Sequence, residues 1–171
     1  DEHMSEYVGS YAQRLKWLTG FGGSAGSAAV LKDAAAMFTD GRYTVQVREQ
    51  VDGKLYDYED VPATSPAKWI AAHAPQGAKI GYDAWLHGIG WAEDAEKLFA
   101  KKGIELVPVD GNPIDAIWDD RPEASLAAAV PHADEHAGRS SADKRAEIAD
   151  WLKNEGYDAT VISALDSVAW L

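Results

Sequence analysis

Between Trp17 and Tyr43 the chain carries the residues best suited to chemistry or close recognition. Gly20, Gly22, Gly23 and Gly26 fall within seven positions, and Asp40-Gly41-Arg42-Tyr43 follows a short apolar stretch. Glycines at that density belong where backbone turns tightly or lies against another group. Gly20-Phe21-Gly22-Gly23-Ser24-Ala25 has the G-x-G-x-x-A form of a dinucleotide fingerprint, and Asp40 lies near the place of the ribose-binding acid. That chemistry requires a buried strand before the glycines and a helix after them, whose first N–H groups meet the pyrophosphate. Gln13-Arg14-Leu15-Lys16 is too polar for such a strand, and Gly26 with Lys32-Asp33 leaves only a short run behind the loop. No Walker lysine follows. The context argues against a phosphate cradle, and no stabilisation by NAD is expected.

Arg42 admits two readings. In one, Asp40 and Gly41 make a turn and the arginine pairs with a surface carboxylate. In the other, a rigid turn presents the guanidinium to a carboxylate or carbonyl through paired hydrogen bonds. The residues alone favour the first. His132-Ala133-Asp134-Glu135-His136 sets two histidines four apart beside two acids, but it is not H-E-x-x-H and lies between Pro131 and Gly138. A solvated linker without a helix is expected there. Asp119-Asp120-Arg121-Pro122-Glu123 reads as a helix end whose Asp and Arg satisfy backbone groups. The serines form no nucleophile elbow, and no complete active site is legible.

The elements that must position these residues alternate between strand and helix. Residues 11–20 form a short helix or strand leading into the glycine loop. Residues 27–32 and 35–39 suit a β-hairpin around Lys32-Asp33. Residues 43–51 fit either an alternating strand, with Val45 and Val47 two apart, or a short helix. Strands are expected at 55–61, 79–83 and 104–109, the last of them buried. Helices are expected at 66–74, with proline in the first turn, and at 90–102, with Gly103 as its cap. A punctuated linker leads to a helix over 142–155, capped by Ser140 or Ser141 and closed by Gly156. A strand over 159–162 completes the pattern of an α/β protein. The ending Ala169-Trp170-Leu171 echoes Lys16-Trp17-Leu18, as the start of a second copy of the first domain would.

Composition narrows the partners. The chain has 171 residues, 46% of them hydrophobic, and seven tryptophans, enough for a packed core. A net charge of −12 opposes phosphate backbones, so nucleic acid is not an expected partner. No apolar run approaches the roughly 20 residues of a membrane-spanning helix. The absence of cysteine removes disulfides and Cys-based zinc sites and is compatible with a cytoplasmic protein. The start at Asp1 and the apolar end at Leu171 both read as cuts in a longer protein.

Taken in order, several segments resemble the aminopeptidase P (Xaa-Pro aminopeptidase) family. They are Asp1-Glu2-His3-Met4-Ser5-Glu6-Tyr7, Thr19 to Gly26, Thr39 to Tyr43 with Gln46, Ile117 to Pro122, and Ser163 to Leu171. The resemblance implies that residues 1–137 are a creatinase-type N-terminal domain lacking its first helix, a mixed β-sheet flanked by helices with a ribonuclease-H-like motif. Residues 138–171 would open a second, similar domain. The family's pita-bread catalytic domain, with its two divalent metals, usually manganese, would lie outside this chain.

The parent protein would then be a hydrolase that removes the N-terminal residue from peptides with proline second. This region would restrict the cleft to peptides, meet its own catalytic domain and help build a homodimer. The alternative is a non-catalytic binding or assembly domain with a creatinase-type fold. One site residue carries over from the family motif: Arg42, as a contact to substrate. No catalytic or metal-binding role falls on any of the five histidines, His3 included. The fragment alone is expected to bind no catalytic metal and to cleave nothing.

Overall fold

The computed structural model of the protein describes residues 5–171. The chain divides into two compact units, Asp1–Ala124 and Ser125–Leu171.

In the first unit a 3-10 turn, Ser10–Ala12, leads into helix α1 (Arg14–Thr19). This settles the stretch before the glycines as helical. Strands β1 (Gly26–Val30) and β2 (Ala35–Thr39) pair antiparallel, with Gly26 opposite Thr39 and Val30 opposite Ala35. The Leu31 N–H donates to Ala34 O at 2.7 Å and closes the expected hairpin. Helix α2 (Gln46–Gln50) resolves the ambiguous stretch that follows. Val47 is buried and Val45 exposed, so the two valines do not share a face, and their spacing of two marks no strand.

Strand β3 (Asp57–Asp60) then lies parallel to β2, which becomes the centre of a three-stranded mixed sheet. Residues 36–39 of β2 are all buried, as befits a strand covered on both faces. Helix α3 (Pro66–His73) starts where Ser65 Oγ accepts from the Lys68 N–H, with Pro66 in the first turn. Strands β4 (Lys79–Tyr82) and β5 (Glu105–Pro108) pair in parallel, joined by helix α4 (Ile89–Ala100). Gly103, at φ +66°, turns the chain from α4 into β5. Strand β5 departs from the expected buried strand: Leu106 and Val107 are half-buried, while Glu105 and Pro108 are exposed. Its backbone pairs with β4 alone, so it behaves as an edge.

Successive side chains of β2 serve two cores. Phe38 packs with Trp69 of α3, Phe99 of α4 and Ile104, the residue before β5. Its neighbour Met37 joins Phe21, Val47 and Val51 on the other side. The glycine loop and the turn after β2 are built on this second core.

The second unit holds α5 (Asp134–Ala137), α6 (Ser141–Glu155) and α7 (Leu165–Trp170). Ser140 caps α6, its Oγ accepting from the Asp143 N–H at 3.1 Å, and Gly156 ends it at φ +77°. The strand expected over 159–162 does not form, and Val161 is 93% exposed. A strand needs a pairing edge, and none of this unit's described residues forms one.

Candidate functional site

The glycine loop begins as the end of a helix. Gly20 adopts φ +81°, and its N–H donates to Lys16 O at 2.8 Å, closing α1 in a left-handed cap. Thr19 Oγ1 donates to Leu15 O at 2.7 Å and accepts from the Phe21 N–H at 3.1 Å, continuing the turn. Phe21, 1% exposed, drops into the second core.

The glycines around Phe21 allow the protein's own groups to approach. A Cβ on Gly20 would stand 2.7 Å from the Gln50 carbonyl oxygen, and the Gly22 N–H donates to Gln50 Oε1 at 2.9 Å. A Cβ on Gly23 would lie 2.3 Å from the Phe21 ring and 2.8 Å from Tyr43. The order helix, glycines, strand is the reverse of what a dinucleotide loop requires. These glycines hold protein against protein.

What they hold is the turn after β2. Ser24 Oγ lies 2.6 Å from the Tyr43 hydroxyl, which also accepts from the Ser24 N–H at 3.2 Å. The Phe21 and Tyr43 rings meet edge to face with centroids 5.5 Å apart. The two halves of the sequence feature are therefore one packed assembly. Sequence reasoning picked out the glycines and the arginine but missed Ser24, Tyr43 and Gln50 as the groups that join them. The density of glycine was the available signal, since it foretold a close approach without naming the partner.

Arg42 sits in a 3-10 turn, Gly41–Tyr43, capped by Asp40. Asp40 Oδ1 accepts from the Arg42 N–H at 3.0 Å and from Nε at 2.9 Å, while Oδ2 accepts from Nη2 at 2.8 Å. The guanidinium carbon lies 5.1 Å from the centroid of the Tyr43 ring. Donation from the Arg42 side chain, then from its backbone N–H, lowers the Asp40 carboxyl to about 2. The bond to Asp40 raises the arginine above its ordinary value in return. Pairing with a carboxylate is thus observed, and that carboxylate is the arginine's own cap. The side chain remains 65% exposed. Asp40 engages two of the five guanidinium N–H groups and fixes the plane, leaving Nη1 and one Nη2 hydrogen for another acceptor.

A second cluster anchors the start of α1. Arg14 binds Asp115 through two bonds, Nε to Oδ1 at 2.7 Å and Nη2 to Oδ2 at 2.9 Å. Arg121 Nη1 reaches Asp115 Oδ2 at 2.6 Å, while its Nε donates to Tyr11 O at 2.8 Å. Trp17 and Trp118 stack with ring centroids 5.5 Å apart. The Arg14 bond, chiefly, holds the Asp115 carboxyl below its usual range. Arg121 does satisfy a backbone carbonyl, as expected, but from a turn and not a helix end. Sequence offered no way to find Asp115, which lies 101 positions from Arg14.

His132 and His136 bring their rings within 5.5 Å, with one helical turn, α5, where none was expected. Four residues suffice for that turn once Asp134 and Glu135 occupy its first positions, where acids favour the N–H groups. Among the described residues no three His, Asp or Glu side chains gather to hold a metal, and these residues do not fit the two-metal centre of the family the chain resembles. Asp1 to Met4, with His3, lie outside the described residues. Beside the glycine loop runs a groove of about 380 Å³, lined by Glu6, Tyr7, Leu15, Lys16, Phe21 and Gly22 among others.

Mixed strands flanked by helices, with a glycine loop bracing an arginine turn, define an α/β module that presents a side chain outward. Residues 4–117 match the family model of the Creatinase/Prolidase N-terminal domain, and residues 120–171 match a second model of the same description. The chain belongs to the creatinase/prolidase N-terminal domain family. Aminopeptidase P1 of Lotus japonicus is 39% identical to it over 173 residues, covering all of this chain and 26% of that protein. Xaa-Pro aminopeptidase 2 of Rattus norvegicus is 33% identical over 174 residues, again with 26% of its length covered.

The crystal structure of an X-prolyl aminopeptidase from Caenorhabditis elegans, described as a cytosolic enzyme with a di-nuclear active site, superimposes with a TM-score of 0.84 at 30% identity. That match covers 98% of this chain and 28% of the worm enzyme. The chain spans about a quarter of the length of these relatives. The likeness to aminopeptidase P read from the ordered motifs is borne out, as is the mixed α/β fold.

Proposed function

We propose that this chain is the N-terminal region of a metallo-aminopeptidase that removes the first residue from peptides with proline second. In this reading it walls the cleft of its own catalytic domain, restricts that cleft to peptides and contributes to a homodimer in the cytoplasm. The two metals, manganese by family resemblance, belong to the catalytic domain. Residues from about 138 onward open a second domain of the same kind. Arg42 is the contribution of this chain to substrate binding: Asp40 fixes its plane, Tyr43 covers one face, and the free edge accepts a carbonyl or carboxylate.

The observation that carries the reading is the similarity to Xaa-Pro aminopeptidases along the whole chain, not at an isolated motif. The exposed but locally fixed guanidinium supports the assignment of Arg42. The test compares the full-length protein with the 171-residue chain on an Xaa-Pro-Yaa peptide, with manganese and after chelation. Metal-dependent release of the first residue by the full-length protein alone is expected. Hydrolysis by the isolated chain would overturn this division of labour. A full-length protein that assembles but cleaves nothing would leave the assembly-domain reading.

A further inference from the structure

The loop that joins β4 to α4 carries an apolar surface that nothing derived above uses. We propose that this surface is a docking site for the part of the same polypeptide beyond residue 171, with Trp85 as the anchor. This rests on the reading of the chain as the N-terminal region of a longer protein, and it names a face that meets the rest.

The loop is held from several sides. Asp83 Oδ1 accepts from the Trp85 N–H at 2.9 Å, and Oδ2 accepts from Asn112 Nδ2 at 2.8 Å. The Asp83 carbonyl accepts from the Leu86 N–H at 3.1 Å and lies 2.8 Å from His87 Nδ1. The His87 ring packs on Trp91 with centroids 4.3 Å apart, and the Tyr82 ring lies 5.7 Å from each of them. On this support Trp85 is 95% exposed, and Ile89, the first residue of α4, is 78% exposed. From Ala84 to Gly90 there is no acid, lysine or arginine, in a chain of which 26% of the residues are charged. A fixed turn that holds an indole out in water is already ordered for binding, so covering it costs little conformational entropy. Tryptophan is also among the side chains that carry most energy at protein interfaces.

The size of the patch and the length of the protein decide the occupant. A buried aromatic side chain contributes about 150–250 Å², whereas each face of a stable complex between separate molecules supplies about 800 Å². Trp85 with Ile89 beside it falls well short of that, which disfavours a second copy of the chain. A segment tethered to the same polypeptide needs less area, because linkage raises its effective concentration to about millimolar. The chain spans only 26–28% of the length of its relatives, so most of a protein of this kind is available to supply that segment. The uncharged loop calls for an apolar pocket on it, as in the core of an interface.

The test is hydroxyl-radical footprinting, read by mass spectrometry, of the full-length protein and of the 171-residue chain. Trp85 and Ile89 should be oxidised readily in the chain at every concentration and lose most of that oxidation in the full-length protein. Trp85→Ser should shift the thermal midpoint of the chain by no more than about 2 °C, as for an exposed side chain. In the full-length protein the same change should return Ile89 to the oxidation it shows in the chain. Equal oxidation of Trp85 in both proteins would overturn the proposal. Protection that already grows with concentration in the isolated chain would assign the face to a second copy instead, and protection of Ile89 that survives Trp85→Ser would remove Trp85 as the anchor. Footprinting needs no turnover, so a failure here stands apart from a failure of the full-length protein to cleave peptides.

Discussion

Gly20→Ala strikes the joint on which the arginine turn depends. At φ +81° an alanine incurs about 1–2 kcal/mol of left-handed backbone strain. The new Cβ would lie 2.7 Å from the Gln50 carbonyl oxygen, which is backbone and cannot rotate aside. The loop must lift from α2, and the bond from the Gly22 N–H to Gln50 Oε1 is lost, at about 1 kcal/mol. Stiffening of the unfolded chain returns about 0.4–1 kcal/mol. The net is a loss of about 2 kcal/mol, or about 4–8 °C in midpoint for a chain of this length. Urea and thermal unfolding followed by tryptophan fluorescence measure it. Gly41→Ala is the control, because a Cβ there meets nothing within 4 Å and should change stability by less than about 0.5 kcal/mol. A Gly20→Ala protein as stable as the parent, or a Gly41→Ala protein equally damaged, would refute the close-approach argument.

Asp115→Asn should cost about 2–4 kcal/mol, since it removes the carboxylate charge that binds the 7% exposed Arg14 side chain through two bonds; chemical denaturation reads the change. The folded-state pKa of Asp115 is depressed, so its contribution is complete above the unfolded value of about 3.9 and is lost as pH falls through the folded one. The parent chain should therefore lose stability below about pH 4 more steeply than the Asn variant. Tyr43→Phe removes the hydroxyl bonded to Ser24 and should lower stability by about 1 kcal/mol, with little change in the far-ultraviolet spectrum. Carboxyl NMR should find Asp40 titrating at about 2, so that the pair with Arg42 persists into mild acid; a midpoint at the ordinary carboxylate value would contradict that pairing.

The parts of this fold that were legible in the sequence are those fixed by local chemistry. Pro66 opens α3 and Ser140 caps α6, while Gly103 and Gly156 follow α4 and α6 with the positive φ that glycine allows. The hairpin around Lys32-Asp33 needed only two short apolar runs and a turn. Residues 43–51 were ambiguous because five helical residues hold too little periodicity to be told from alternation. Residues 159–162 have strand-forming side chains, yet strand formation depends on an edge to pair with, which propensity does not supply.

In the site, the glycine density signalled close contact and the family motif singled out Arg42. The partners Tyr43, Gln50 and Asp115 are set by tertiary packing between segments up to 101 positions apart, and no local pattern encodes them. Asp40 is different: a carboxylate two residues before an arginine at the start of a turn is a capping arrangement readable from sequence, and it supplies the pairing that the residues alone favoured.

The central claim is that the braced turn presents Arg42 to a peptide substrate whose metals are held by another domain. The most direct measurement is kcat/KM on an Xaa-Pro-Yaa peptide for the full-length protein and its Arg42→Ala variant, with metal content determined alongside. Loss of one charged hydrogen-bonding group predicts a fall of about 10- to 100-fold, following about 1.5–3 kcal/mol at 1.36 kcal/mol per decade, with the metal content unchanged. Arg42→Lys should recover little of it, because a point charge does not replace the planar fork. An unaltered kcat/KM, or a loss that tracks loss of metal, would contradict the account.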